Sequence, residues 1–173
     1  MKKRILLTCL AVILLLSGCT GTRSPAGLEP LTFVVPRNWQ ELDSTPALEE
    51  RISQIEQLVR ENPYRGVAND FTVNHIGTQR SELTITWLAI NRTGRPIRNI
   101  SFDIVLLRDD IYSIPIELTE SFIGIIPDQA ATVFTLSLPA EEAFEYLLSL
   151  LNDVVDGAAN MFLEDAVIEF ADE

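Results

Sequence analysis

From Ala68 to Leu138 the hydrophobic pattern has a period of two, the mark of extended chain with one face buried. Phe71, Val73 and His75 alternate with Thr72 and Asn74. After a turn expected over Gly77 to Ser81, Leu83, Ile85, Trp87 and Ala89 share one face, and Thr84, Thr86, Leu88 and Ile90 take the other. That second face turns apolar towards its end, which predicts a strand covered on both sides. Asn91 to Pro96 is a tight connection, with Gly94 free to take positive φ. Ile97 to Leu107 follows with Ile100, Phe102, Ile104 and Leu106 inward, and Arg108 to Asp110 is a polar turn. Ile111 to Leu118 alternates through Tyr112, Ile114 and Ile116, and Pro115 marks it as an edge strand. Phe122 to Ile126 is short and apolar. Thr132, Phe134, Leu136 and Leu138 define another strand after the turn at Pro127-Asp128.

Two stretches switch to helical spacing. Thr45 is placed to cap a helix near 46–61, with Pro46 in its first turn, Glu49 and Glu50 at its positive end, and Leu48, Ile52, Ile55, Leu58 and Val59 inward. Arg51, Gln54, Gln57 and Arg60 fall on the outer side, and Asn62-Pro63 ends it. A second helix is expected near 140–156, with a broad apolar arc of Phe144, Leu147, Leu148, Leu151, Val154 and Val155 and with Gly157 as its left-handed cap. That arc predicts burial, or contact with another subunit. Leu31 to Val35, ended by Pro36, reads as a first strand at a sheet edge; Met161 to Phe170 reads as the last, with Phe162, Ala166, Ile168 and Phe170 on one face.

The amino terminus follows a different rule. Lys2, Lys3 and Arg4 precede an apolar run, Ile5 to Leu16, which matches a signal-peptide core and is short for a bilayer span. Leu16-Ser17-Gly18-Cys19 closes it. This stretch resembles the lipobox of bacterial lipoproteins. The resemblance implies cleavage between Gly18 and Cys19, diacylation of the Cys19 thiol, and a membrane held through that lipid as the first partner. Two or more buried acyl chains anchor stably where one does not. The expected organisation is a signal peptide over 1–18, a flexible Gly- and Pro-bearing tether over 19–30, and one β-rich domain over 31–173. The expected location is the cell membrane or outer membrane, outside the cytoplasm.

Strands in succession with two flanking helices predict a mainly β chain, folded as an antiparallel β-sandwich. In outline, residues 71 to 138 are similar to the immunoglobulin-like domains of exported bacterial lipoproteins, including FxLYD-type and SLAP-type modules. The residues concerned are the turn Asn91 to Pro96 feeding Ile97 to Leu107, then Phe122 to Pro127 followed by Val133-Phe134. The FxLYD signature itself is absent; Phe102-Asp103-Ile104-Val105 stands near its place. The resemblance therefore implies a fold and no functional residue. The alternative is an α+β curved antiparallel sheet wrapped around a helix, of cystatin-like or NTF2-like kind.

Charge narrows the function. Removing the three basic residues of the leader from 13 Lys+Arg leaves ten, all arginine, against 25 Asp+Glu, so residues 19 to 173 carry a net charge of −15. Such a field disfavours nucleic acid. Cys9 and Cys19 are the only cysteines, so the domain has none for a disulfide, a zinc cage or thiol catalysis. His75 is the single histidine, without the partners that transition-metal binding or a Ser-His-Asp site needs. Asp153, Asp156, Asn160, Glu164 and Asp165 are oxygen donors, but their spacing is not that of an EF-hand loop. No Gly-rich phosphate loop or other cofactor motif is visible. Asn91-Arg92-Thr93 and Asn99-Ile100-Ser101 match glycosylation acceptors by chance. The reading is a noncatalytic, lipid-anchored binding or structural module of a cell envelope, with an unknown protein or envelope ligand. Its candidate recognition loops are Gly77 to Ser81 or Arg92 to Arg98, with Arg92, Arg95 and Arg98 placed to meet a carboxylate or phosphate. The alternatives are a small carboxylate-dependent envelope hydrolase and a docking subunit of an envelope complex.

Overall fold

The computed structural model describes residues 28–63, 65–107 and 111–171. The leader, Gly18 and Cys19, most of the tether, and the turn at 108–110 lie outside them. The described residues are mainly β, with two sheets and four helices. The elements are β1 (Thr32–Phe33), α1 (Arg37–Gln40), α2 (Pro46–Glu61), β2 (Phe71–Gln79), β3 (Thr84–Asn91), β4 (Ile97–Leu107), β5 (Ile111–Leu118), α3 (Glu120–Ile123), β6 (Ala130–Ser137), α4 (Glu141–Val155) and β7 (Asn160–Phe170). One sheet has the order β1-β6-β3-β2, the other β5-β4-β7. All pairings are antiparallel except β1 with β6. The alternative of one sheet wrapped around a helix is thus replaced by two sheets.

The sheets face each other across one core. Phe71, Ile85, Trp87 and Phe134 from the first meet Ile100, Phe102, Ile104 and Leu106 from the second. Phe102 lies 5.6 Å from the Phe71 ring and 6.3 Å from the Phe134 ring, both tilted, a favoured aromatic geometry. The outer face of the first sheet is covered by α2: Ile55 and Val59 pack on Leu88, Ile90, Ala131 and Val133. So β3 is buried along its whole length, as its two-sided pattern predicts. β5, carrying Pro115, is an edge strand, and so is β1.

Helix α4 joins the two sheets, leaving β6 after Ser137 and delivering the chain to Asn160, opposite Leu107. Its arc closes that end of the sandwich: Phe144, Leu147, Leu150 and Leu151 are buried in the shared core, while Val155 is exposed. Its end is a Schellman motif. Gly157 takes φ 75°, its N–H bonds the Val154 carbonyl at 3.2 Å, and the Ala158 N–H bonds the Asp153 carbonyl at 2.7 Å.

Two local expectations are corrected. β2 does not turn at Gly77; it continues to Gln79, and the reversal is a 3₁₀ turn over Arg80–Glu82 with Leu83 at φ 50°. An extra residue, Ile76, bulges β2 between His75 and Gly77 and packs under α2. In β7 the step from Glu164 to Val167 spans three residues where Asp103 to Ser101 spans two. Asp165, at φ 50°, lies in this bulge. The extra residue exchanges the faces, so Met161 and Leu163 pack inward before it and Ile168 and Phe170 after it. Phe162, 38% exposed, therefore does not share the core face with Ile168.

Candidate functional site: a cleft beneath the first turns of α2

The three arginines do not converge. Arg92 is 1% exposed and its guanidinium points into the protein. Nε donates to the Arg65 carbonyl at 3.0 Å, Nη1 to the Glu29 carbonyl at 2.7 Å and to Gln129 Oε1, and Nη2 to the Pro63 carbonyl at 2.9 Å. Desolvation lowers its pKa from the usual arginine value, and the charges of Asp128 and Glu29 oppose that. Its expected place in a recognition loop is corrected: Arg92 is a clamp that ties the start of the domain to the end of α2 and to the turn before β6. Gly66 permits the approach. At φ 95°, a Cβ there would stand 3.1 Å from Ile90 Cγ2, 3.2 Å from Thr72 Oγ1 and 3.5 Å from Arg92 Nε.

Arg95 lies over the Phe170 ring at 4.1 Å. Arg98 faces Glu120 at 3.3 Å and Glu169 at 3.8 Å, and donates to the Ala171 carbonyl at 3.1 Å. The turn between them is organised by Asn91, which is fully buried. Its Nδ2 donates to the carbonyls of Arg95, Ile126 and Pro127, and its Oδ1 accepts from the Thr93 N–H and hydroxyl. The match of Asn91 to a glycosylation acceptor is thus a folding device. Asn99 likewise bonds Glu169 and the Glu120 N–H.

His75 sits edge-on to Trp87, ring centres 5.6 Å apart. Burial pushes its pKa down, against a backbone hydrogen bond to Gly77 that raises it. It lines a hollow with Arg65, Asn74, Leu151 and Val154. Among the described residues no three acidic, cysteine or histidine side chains gather to hold a metal ion. A second groove of about 350 Å³ runs between the open edges of β2 and β7, lined by Phe71, Val73, Met161, Leu163 and Ile168. The β7 bulge and the charges of Glu164, Asp165 and Glu169 are the devices that protect an open edge from pairing.

A concavity of about 440 Å³ lies between the first turns of α2 and the bulged end of β2. Its walls are Glu50, Arg51 and Gln54 from the helix and Gly77, Thr78 and Gln79 from the strand, with Ile55, Ile76 and Thr86 beneath. The pattern of β3 explains the cleft. Its outer face is apolar at Leu88 and Ile90, where α2 seats Ile55 and Val59, and polar at Thr84 and Thr86, of which Thr86 lines the cleft. Thr135 of β6 stands opposite Thr86 on that face.

Arg51 is the residue that the helical pattern misplaces. It points inward: Nη2 donates to Thr86 Oγ1 at 2.6 Å, and the guanidinium lies 5.1 Å from the Trp39 ring centre. The signal for this was the polar pair Thr84 and Thr86 on an otherwise apolar face. Glu50 is held by Gln54 at 3.1 Å. Among the described residues Arg51 has no carboxylate partner. No protein-family model, curated protein or solved structure matches the chain.

Proposed function

We propose that this chain is a lipid-anchored, extracytoplasmic, noncatalytic binding module of the bacterial cell envelope, with an immunoglobulin-like sandwich as its scaffold. The connectivity supports the scaffold. β2, β3 and β6 take the places of strands A, B and E, and β5, β4 and β7 those of C′, C and F, with α4 in the E-to-F crossover.

The observation that carries the functional reading is the separation between the anchored end and the cleft. Downstream of Cys19 the chain joins the domain at Glu29 and Leu31, where the Arg92 clamp and the Leu31 N–H to Pro63 carbonyl bond hold it. Asn91 lies at this end of β3. Thr86, the floor of the cleft, lies about 17 Å further along the strand. A lipid on Cys19 would thus connect through the tether to the end of the domain opposite the cleft, and leave the cleft free to meet a partner.

Mass spectrometry of the mature amino terminus, with fractionation of Cys19→Ala, tests the reading. The expected results are a chain beginning at an acylated Cys19, and loss of membrane association in the variant. An unmodified Cys19, or a variant that sediments with membranes as the parent does, removes the proposal.

A further inference from the structure

The cleft beneath α2 holds an arginine, Arg51, that makes no ion pair among the described residues. Acidic residues outnumber basic ones by 25 to 13 in this chain, and Arg37, Arg80 and Arg98 each face a glutamate. Arg51 faces a threonine hydroxyl and an indole instead. Both contacts fix the plane of the guanidinium without satisfying its charge, and they leave N–H groups of its fork for another acceptor. The position is half-buried and the space beside it is open: a Cβ built on Gly77 meets nothing within 4 Å.

The surroundings narrow the acceptor. Arg51 is the only cation among the described cleft-lining residues, and Glu50 stands beside it. A phosphate dianion would meet one positive charge and one negative. A carboxylate carries a single charge and matches the two-pronged geometry of a guanidinium. Gln54, Thr78 and Gln79 offer amide and hydroxyl groups at the rim, and Ala47, Ile55 and Ile76 offer apolar surface. On the same outer face of the sheet, the hydroxyls of Thr84 and Thr135 are buried and find no protein partner among the described residues.

We infer that the cleft is a binding site for a carboxylate, either the free C-terminus of a short peptide or a small organic acid, with Arg51 as the anchoring residue. This deepens the binding-module reading and rests on it. The two fail separately, because an unmodified Cys19 would leave the cleft intact, and an inert cleft would leave the anchor intact.

Trp39 supplies the readout, since it touches Arg51, whereas Trp87, the other tryptophan, is fully buried in the core. The full-length protein in detergent is titrated with Ala-Ala, with its C-terminal amide, with propionate and with inorganic phosphate, following tryptophan emission and heat. Ala-Ala is expected to change the emission saturably, the amide to bind at least about tenfold more weakly, and Trp39→Phe to lose the signal while retaining the heat. Arg51→Gln is expected to abolish binding, and Arg51→Lys to weaken it about tenfold, because a point charge replaces the fork. Propionate matching Ala-Ala assigns a small acid; Ala-Ala alone assigns a peptide terminus; both support the inference. Equal response to acid and amide, tighter binding of phosphate, or no response to about 10 mM of any probe overturns it. Should Arg51→Gln fail to fold, the acid-against-amide comparison on the parent protein still decides.

Discussion

At the scale of single residues, two buried polar groups carry opposite lessons. Arg92 is a charge taken out of water and repaid by four acceptors from separate parts of the chain. Removing the guanidinium takes a donor from the part-buried carbonyls of Glu29, Pro63 and Arg65, of which Pro63 keeps the Leu31 N–H, so Arg92→Leu is expected to cost about 1–3 kcal/mol. The check is a lowered urea midpoint at unchanged slope; a midpoint equal to the parent's would show that the clamp is idle. His75 works the other way, since burial disfavours its charged form. Its folded pKa lies below the ordinary 6.5, so on acidification the unfolded chain takes up the proton first. Stability is therefore expected to fall as pH drops below about 6.5, and to be fully present above it. His75→Asn should flatten the melting temperature between about pH 7.5 and 5.5, above the range in which carboxylates titrate. An unchanged slope in the variant would assign the pH dependence elsewhere.

At the scale of elements, what was legible was periodicity, and what was not was its local interruption. α2 runs from Pro46 to Glu61 with Thr45 Oγ1 accepting the Leu48 N–H at 3.2 Å, as its cap residues foretell. The buried and exposed sides of β4 and β5 follow their alternation, and β3 is buried on both sides. The bulges at Ile76 and near Asp165 carry no comparable mark, because one added residue leaves the composition unchanged while exchanging the faces. Arg51 shows the same limit. Helical spacing places it outside, but its long side chain reaches under α2 to a threonine on the sheet. The apolar arc of α4 was readable, though not its role as the plug of an open sandwich end. Leu147, 0% exposed, puts that role to the test, and Leu147→Ala is expected to cost about 2–5 kcal/mol. A loss below about 0.5 kcal/mol in the same urea titration would mean that the helix rests on the sheets without closing them.

At the scale of the whole molecule, the acidic surface and the absence of cysteine from residues 20 to 173 set the conditions of stability. A net charge of −15 on residues 19 to 173 repels itself in the compact state. Raising salt from about 20 to 200 mM is expected to raise the melting temperature, since the screening length falls to the spacing between surface charges. A fall over that range would mean that ion pairs such as Arg98 with Glu120 outweigh the repulsion.

The sequence by itself determined the alternation that makes the strands, the threonine cap that starts α2 and the glycine cap that stops α4, the two-sided burial of β3, and the excess of negative charge. These depend on neighbours within a few positions, or on composition, and need no knowledge of what lies across the core. Tertiary structure alone decided that Arg92 turns inward while Arg95 and Arg98 are held by an aromatic ring and by glutamates. It alone decided that α4 closes one end, and that a cleft opens where α2 leaves the threonines of the first sheet. Each of these depends on groups tens of residues apart in the chain, and burial gives a side chain its meaning only once those groups have met.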